Sequence, residues 1–194
     1  MQKLPLRVFF PQGPQESVFK FVRPLTLRLR ETMPYLRQQG VCPESEWPCD
    51  DAPAHAEGGP FPVGSKPATQ PPQKSYDDAV NHEIVRYQRL NQTLSQLQGC
   101  LAAGFPFAFG FSVFDGWYGQ IPHSNVIPVP SQSDALVGGH AVLCVGYDNS
   151  KGLSKIRNSW GPTEGDNGYF YMPCAYVTET TLASDFWVIN AIKT

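Results

Sequence analysis

Apolar and polar positions divide the chain into a half with β alternation and a half with helical spacing. In the second half, an aromatic-rich run from Phe105 to Phe114 and a β-branched stretch from His140 to Tyr147 both predict buried strands. Turn-forming residues at 148–152 predict a hairpin after the second of them. Further strands are predicted over the ranges 155–159, 168–172 and 184–192. We therefore predict a mainly antiparallel sheet for this half.

The first half of the chain repeats apolar residues at helical spacing. Basic residues between Arg23 and Arg37 accompany a row of apolar side chains, which predicts an amphipathic helix over 25–39 that ends at Gly40. The apolar row consists of Leu25, Leu27, Leu29, Met33 and Leu36. A second helix is predicted over 93–103, whereas residues 76–90 fit either a helix or a short strand.

Proline-containing segments separate these elements. Residues 1–24, 50–72 and 115–137 predict extended or loop structure, and the segment 50–72 is also rich in Gly, Ala and Ser. A chain of 194 residues that combines a mostly helical half with a mostly β half forms one domain or two small lobes.

Charge and hydropathy narrow the choice of partners. The formal net charge of −2 gives no reason to expect nucleic acid as a partner, and no apolar run is long enough to predict a membrane span. The first ten residues do not have the pattern of a signal peptide, because Pro5 and Arg7 interrupt a short apolar run. We expect a cytoplasmic protein if the start is genuine. If an upstream segment is missing, secretion remains an alternative.

The five cysteines do not form a metal-binding pattern. There is no Cys-x-x-Cys, and the histidines have no regular ligand spacing, so we predict neither a structural metal nor a cofactor. Cys42 and Cys49 are close enough in sequence for a local disulfide in an oxidising compartment. Cys100 and Cys144 are flanked by apolar residues and are predicted to be small buried hydrophobes.

A histidine and an asparagine on successive predicted strands carry the candidate chemistry. His140 precedes Asn158 by eighteen residues, and Trp160 follows two residues later. An imidazole that takes a proton from a nucleophile needs its second nitrogen held, and an amide oxygen can accept the Nδ1 proton without adding a charge. We expect the Trp160 indole to shield that hydrogen bond from water. A base and an orienting group of this kind are what a thiol or hydroxyl nucleophile requires.

These motifs resemble the papain-like cysteine peptidases. The resemblance rests on Gly-Gly-His-Ala at 138–141, Asn-Ser-Trp-Gly at 158–161 and Gly-Tyr-Phe at 168–170. Residues 40–50 and 97–111 are also similar to bacterial members, so the likeness runs from about Leu25 to the C-terminus. It implies an α+β, papain-like two-lobe fold, with a partial helical lobe at 1–92 and a β-barrel-like lobe at 93–194.

The resemblance also implies roles for individual residues. His140 would be the general base and then the acid, Asn158 would orient it, and Trp160 would cover the pair. Gly138 and Gly139 would form a cleft wall along which a peptide or protein substrate passes closely.

The chain departs from the family pattern at two places. The family's nucleophilic cysteine follows a glutamine near the mature N-terminus, but residues 1–41 contain no cysteine. Cys42, Cys49, Cys144 and Cys174 each lack a suitable setting, Cys144 because it is about 13 Å along the strand from His140. In addition, Glu164 replaces the tryptophan of the family's second Trp-Gly pair.

The sequence therefore predicts a cysteine-peptidase-family protein whose nucleophile segment is missing. One hypothesis is a truncated or split piece of an enzyme, which is inactive alone, and the other is a non-catalytic papain-fold module that binds a peptide or protein partner. A third is a structural subunit completed by a partner chain, since loss of the segment between the lobes would expose apolar surface. Whether this chain is itself an enzyme stays open at this point.

Overall fold

A computed structural model describes residues 29–43, 45–48, 62–118 and 124–193. The predicted loop 1–24, the start of the first predicted helix, Cys49 and residues 50–61 of the predicted loop lie outside this range. Cys42 has a free thiol. Residues group into two compact units, which among the described residues comprise 34–85 with 192–193, and 29–33 with 86–191. The lobe boundary predicted between residues 92 and 93 stays a prediction.

Short helices account for most of the regular structure before residue 103. The ambiguous stretch 76–90 contains both kinds of element, because a helix ends at Ala79, a 3-10 turn spans Val80–His82 and a strand begins at Ile84. The helices are α1 (Leu29–Gln39), α2 (Gln73–Ala79), α3 (Leu94–Ala102), α4 (Asp115–Tyr118) and α5 (Cys174–Thr178), with a further 3-10 turn at Lys66–Ala68.

Gly40 ends α1 as the sequence predicts. Its φ of +67° lies in the left-handed region, and its N–H donates to the Leu36 carbonyl at 3.2 Å. A Cβ at this position would collide with the Ala79 carbonyl oxygen. Glycine is therefore required here both by its backbone conformation and by the close approach of α2.

A six-stranded sheet forms the framework of the second half, with the order β1-β6-β2-β3-β4-β5. The strands are β1 (Ile84–Arg89), β2 (Phe107–Phe114), β3 (Leu136–Asp148), β4 (Leu153–Arg157), β5 (Tyr169–Pro173) and β6 (Ala183–Ile192). Strand β2 pairs antiparallel with β3 and β6, and β4 pairs antiparallel with β3 and β5. The sheet does not close into a barrel, so the expected barrel-like lobe is an open sheet.

The main core lies under one face of β2 and β3. Alternate residues of a strand point to the same face, and Phe107, Phe109 and Phe111 are all nearly inaccessible to solvent. They lie opposite Cys144, Val142 and His140 in the register, so the histidine belongs to the core-facing row. The Phe109 and Phe186 rings stack at 5.0 Å, which ties β2 to β6. This packing gives His140 a rigid support.

Several features of the β half differ from the prediction. The return strand predicted over 155–159 spans Leu153–Arg157, so it ends before Asn158. Strand β3 begins at Leu136, four residues before the predicted start, because Val113 and Gly138 continue the pairing with β2. The predicted loop 115–137 contains the short helix α4, and α5 was not predicted at all. Within the described part of the chain, no helix combines the length and apolarity that a membrane crossing requires.

Candidate active site

His140 projects from β3 toward the aromatic core. It lies opposite Phe111 of β2, and the two rings meet edge to face with centroids 5.8 Å apart. The side chain is partly buried, because the sheet covers one side of the imidazole and aromatic rings cover others. Its position is thus fixed by strand pairing and by ring contacts on the same face.

Asn158 holds one imidazole nitrogen. The distance from His140 Nε2 to Asn158 Oδ1 is 2.9 Å. The same oxygen accepts the Ser159 backbone N–H at 2.8 Å, and since that N–H can only donate, the atom facing both groups is the carbonyl oxygen. His140 Nε2 must therefore carry the proton of this hydrogen bond, which leaves Nδ1 as the unprotonated nitrogen of a neutral ring.

The expectation that Asn158 accepts the Nδ1 proton is therefore wrong, because the contact is made by Nε2. The β3–β4 register pairs Leu143 with Arg157, so its continuation puts Asn158 opposite Val142 and diagonal to His140. Diagonal neighbours across a ladder are about 7–8 Å apart, and the far nitrogen of the ring is the one that spans such a gap. Asn158 itself follows β4, and its N–H donates to Gly168 at 2.9 Å.

The surroundings of His140 favour its neutral form. Burial lowers the pKa of His140 below the ordinary value, and the hydrogen bond to Asn158 raises it in part. Because the amide adds no negative charge, nothing in the pair stabilises an imidazolium strongly. A neutral imidazole with a free Nδ1 is a proton acceptor at neutral pH.

Two tryptophans lie against the histidine. The Trp160 ring centroid is 5.1 Å from that of His140, although 44% of Trp160 is exposed. Trp117 of α4 is 2% exposed and stacks on Trp160 at 5.5 Å with an interplanar angle of 17°. The sequence does not predict this position of Trp117 beside His140. No local signal links it to Trp160, since the two are brought together by the packing of α4 on the sheet.

Backbone hydrogen bonds shape the loop that carries Trp160. Gly168 donates to the Glu164 carbonyl at 2.8 Å, and Tyr169 donates to Asp166 at 3.0 Å. Gly165 has a φ of +59°, and a Cβ there would collide with the Tyr169 carbonyl oxygen. Glu164, which departs from the family pattern, is exposed in this loop.

A cavity lies beside His140 on the sheet. Its volume is about 210 Å³, and Gly139 and His140 contribute to the wall. The other lining residues are Gly110, Phe111, Ser112, Thr180, Thr181, Leu182, Ala183 and Ser184. Gly138 does not line it, but a Cβ at Gly138 would meet open space, so the backbone there is accessible from outside. Small residues therefore border the histidine along β3.

The described cysteines differ from an activated nucleophile. Cys144 is fully inaccessible, and burial raises the pKa of its thiol to about 12. Burial also raises the pKa of Cys42 and of Cys100. Cys174 is half-buried, with its sulfur 3.8 Å from the Ser154 hydroxyl. Catalytic thiols have lowered pKa values, so the settings of Cys42, Cys100 and Cys144 argue against the role.

Across residues 29–43, 45–48, 62–118 and 124–193, no group of three or more His, Cys, Asp or Glu side chains is arranged to hold a metal ion.

The sequence of this chain is similar to known proteins over most of its length. The family model described as papain family cysteine protease matches residues 13–187. An uncharacterized peptidase C1-like protein of Acanthamoeba polyphaga mimivirus is 31% identical over 174 residues, which cover 85% of this chain and 52% of the viral protein. The chain thus spans about half the length of that curated relative.

Solved structures show the same fold. Xylellain, a cysteine protease from Xylella fastidiosa, is 47% identical with a TM-score of 0.78, and the match covers 86% of this chain and 61% of xylellain. A procathepsin B from Trypanosoma congolense is 17% identical with a TM-score of 0.56, covering 84% of this chain and 52% of that one. The second likeness concerns the fold alone.

Proposed function

Because the chain belongs to the papain family of cysteine proteases, we propose that His140 is the general base of thiol-dependent peptide hydrolysis and that Asn158 orients it. The observation that carries this proposal is the 2.9 Å contact between His140 Nε2 and Asn158 Oδ1, which leaves Nδ1 available. A resemblance in sequence alone supports the residue types, whereas this contact supports their division of roles.

His140 acts as both base and acid in the proposed reaction. Nδ1 accepts the proton of a cysteine thiol, and the resulting thiolate attacks the scissile carbonyl carbon to form a C–S bond. The imidazolium then returns the proton to the leaving amine as the C–N bond breaks. In the second half, Nδ1 accepts a proton from water, whose oxygen attacks the thioester carbonyl carbon. The C–S bond breaks to release the carboxylic acid, and the imidazolium returns its proton to the thiolate. Throughout, the Nε2–H of His140 donates to Asn158, so that the ring keeps one orientation.

We propose that the described cysteines do not supply this thiol. Cys144 is inaccessible, and burial raises the pKa of its thiol to about 12. Burial also raises the pKa of Cys42 and of Cys100, which disfavours their thiolates. Since the sequence around Cys49 and Cys174 also offers no suitable setting, the 194-residue chain is expected to be inactive alone. A thiol from an upstream segment or from a partner chain would complete the site.

A peptide substrate is proposed to lie along β3 beside His140. The cavity there is bordered by Gly139 and Ser112, and Gly138 leaves open space at the edge of the site. The partly exposed ring of Trp160 offers a further apolar contact beside the imidazole. The same surface supports the second candidate function, a non-catalytic papain-fold module that holds a peptide or protein partner.

Two assays on the 194-residue chain test these proposals. A fluorogenic peptide should not be cleaved above the rate of a His140→Ala control. Cleavage that is blocked by a thiol alkylator and lost in His140→Ala would contradict the assignment of the cysteines, and cleavage that persists in His140→Ala would contradict the base.

Peptide binding is followed separately by NMR of the 15N-labelled chain. Addition of an acetylated, amidated trialanine peptide should shift the amide signals of Gly138 and Gly139, with exposed Leu94 on α3 as the unaffected reference. If Leu94 shifts as much as the two glycines, or none of them shifts, the proposed substrate surface is wrong.

A further inference from the structure

The aromatic contacts of His140 extend beyond the residues that the proposed function uses. Trp160 is 44% exposed although it is expected to shield a hydrogen bond, and its ring stacks on that of Trp117. Trp117 also lies 6.2 Å from His140 and 5.5 Å from Phe111 between ring centroids. The buried indole therefore touches both the shield and the histidine.

Hydrogen bonds from another segment hold α4, which carries Trp117. The Asp115 N–H donates to the Ala135 carbonyl, and the Ala135 N–H donates to Asp115 Oδ1, both at 3.1 Å. The Asp134 carboxylate accepts the Ser131 N–H at 2.8 Å, which closes the turn before Ala135. Since β3 begins at Leu136, this exchange ties α4 to the start of the strand that carries His140.

We propose that Trp117 and Asp115 are positioning residues for the His140–Asn158 pair. Asp115 fixes α4 to the start of β3, Trp117 supports the Trp160 ring, and the supported ring keeps water from the His140–Asn158 hydrogen bond. This inference rests on the proposed role of His140, but its test does not require peptidase activity. Neither residue is proposed to touch substrate.

The contacts explain why the support comes from a buried residue. A half-exposed indole can adopt several rotamers. Stacking on Trp117, with an interplanar angle of 17°, restricts Trp160 to one of them. Trp117 is 2% exposed and also contacts Phe170 of β5 at 5.6 Å between ring centroids, so the core holds it in place. The packing of Trp117 against the sheet therefore sets the orientation of the Trp160 ring.

The test uses the folded 194-residue chain labelled with 15N at histidine. Exchange of the His140 Nε2–H with water and the pH titration of the ring are measured by NMR. In Trp117→Ala and Asp115→Ala, exchange should be roughly two- to tenfold faster, as loss of protection for one hydrogen bond implies. The pKa of His140 should rise toward its ordinary value, because burial is what lowers it.

Conservative variants and a distant tryptophan serve as controls. Trp117→Phe and Asp115→Asn keep an aromatic ring and an oxygen acceptor, and should restore values close to those of the unmodified chain. Trp187→Phe alters an indole that contacts Tyr87 at 5.8 Å, away from His140, and should change neither readout.

Local and global effects are separated by the backbone amides. If Trp117→Ala unfolds, Asp115→Ala still tests whether α4 supports the His140–Asn158 pair, because Asp115 is exposed and its replacement leaves the core intact. Amide exchange at Phe109 and Val142 should stay unchanged in that variant. Unchanged imidazole exchange and titration in folded Asp115→Ala would overturn the role of Asp115, and the same result in folded Trp117→Ala would overturn that of Trp117.

Discussion

Replacement of Asn158 by alanine should lower stability more than the loss of an ordinary surface asparagine. Asn158 Oδ1 accepts two hydrogen bonds, from His140 Nε2 at 2.9 Å and from the Ser159 N–H at 2.8 Å. A net contribution of about 0.5–1.5 kcal/mol for each gives a loss of about 1–3 kcal/mol in the free energy of unfolding. The variant also leaves a partly buried ring N–H without its acceptor.

The assay is urea unfolding near neutral pH, with the histidine titration followed by NMR in the same variant. Because the hydrogen bond to Asn158 raises the pKa of His140, Asn158→Ala should lower that pKa further. Asn158→Asp keeps the oxygen acceptor and adds a negative charge, so it should raise the pKa of His140. The two variants therefore move the titration in opposite directions.

Asn149→Ala is the matched control. Asn149 lies in the exposed β3–β4 turn and accepts one hydrogen bond from Gln98 at 2.7 Å. Its replacement should change stability by less than about 0.5 kcal/mol. An Asn158→Ala cost no larger than that of Asn149→Ala would contradict the two hydrogen bonds assigned to Asn158. A shift of the His140 titration in the same direction in Asn158→Ala and Asn158→Asp would contradict the contact with the imidazole.

Three further predictions concern stability and reactivity. Gly165→Ala should cost about 1–3 kcal/mol in urea unfolding, and more than Gly152→Ala, because both glycines have positive φ but only Gly165 faces a backbone oxygen; equal costs would contradict the predicted collision. Since the pKa of His140 is lowered in the folded state, its contribution to stability is complete above the ordinary histidine value. That contribution should be lost as pH falls from the ordinary histidine pKa toward the pKa of His140 in the folded state. The free energy of unfolding should therefore decline less with falling pH in His140→Gln; the same pH profile in the variant and the unmodified chain would contradict the lowered pKa. Iodoacetamide at neutral pH should leave Cys144 unmodified in the folded chain and modify it in urea, because the thiol is inaccessible and burial raises its pKa to about 12; rapid labelling of Cys144 itself in the folded chain, read by peptide mass spectrometry, would contradict the burial.

Local patterns predicted the elements that carry the site better than they predicted its contacts. His140 stands in a short motif on β3 and Asn158 in one that directly follows β4, and the hairpin between them follows from turn residues at 148–152. Gly40 also follows from a local rule, because a helix that ends in left-handed backbone favours glycine. These features depend on neighbours in sequence, so the sequence alone was sufficient.

Features that depend on distant neighbours were not predicted. The contact of Trp117 with Trp160 joins residues that are far apart in the chain, and the hydrogen bonds between Asp115 and Ala135 bridge twenty positions. The identity of the imidazole nitrogen that faces Asn158 depends on the diagonal placement of the two residues across β3 and β4, which periodicity does not specify. Strand β3 likewise begins earlier than its composition indicated, because pairing with β2 extends it.

The proposed division of roles at the site depends on the tautomer of His140. A long-range 1H–15N spectrum of the histidine-labelled chain above the ordinary histidine pKa distinguishes the two ring nitrogens. We expect the proton on Nε2 and none on Nδ1, which is then ready to accept one from a thiol. A spectrum in which His140 carries its proton on Nδ1 would overturn the roles proposed for His140 and Asn158.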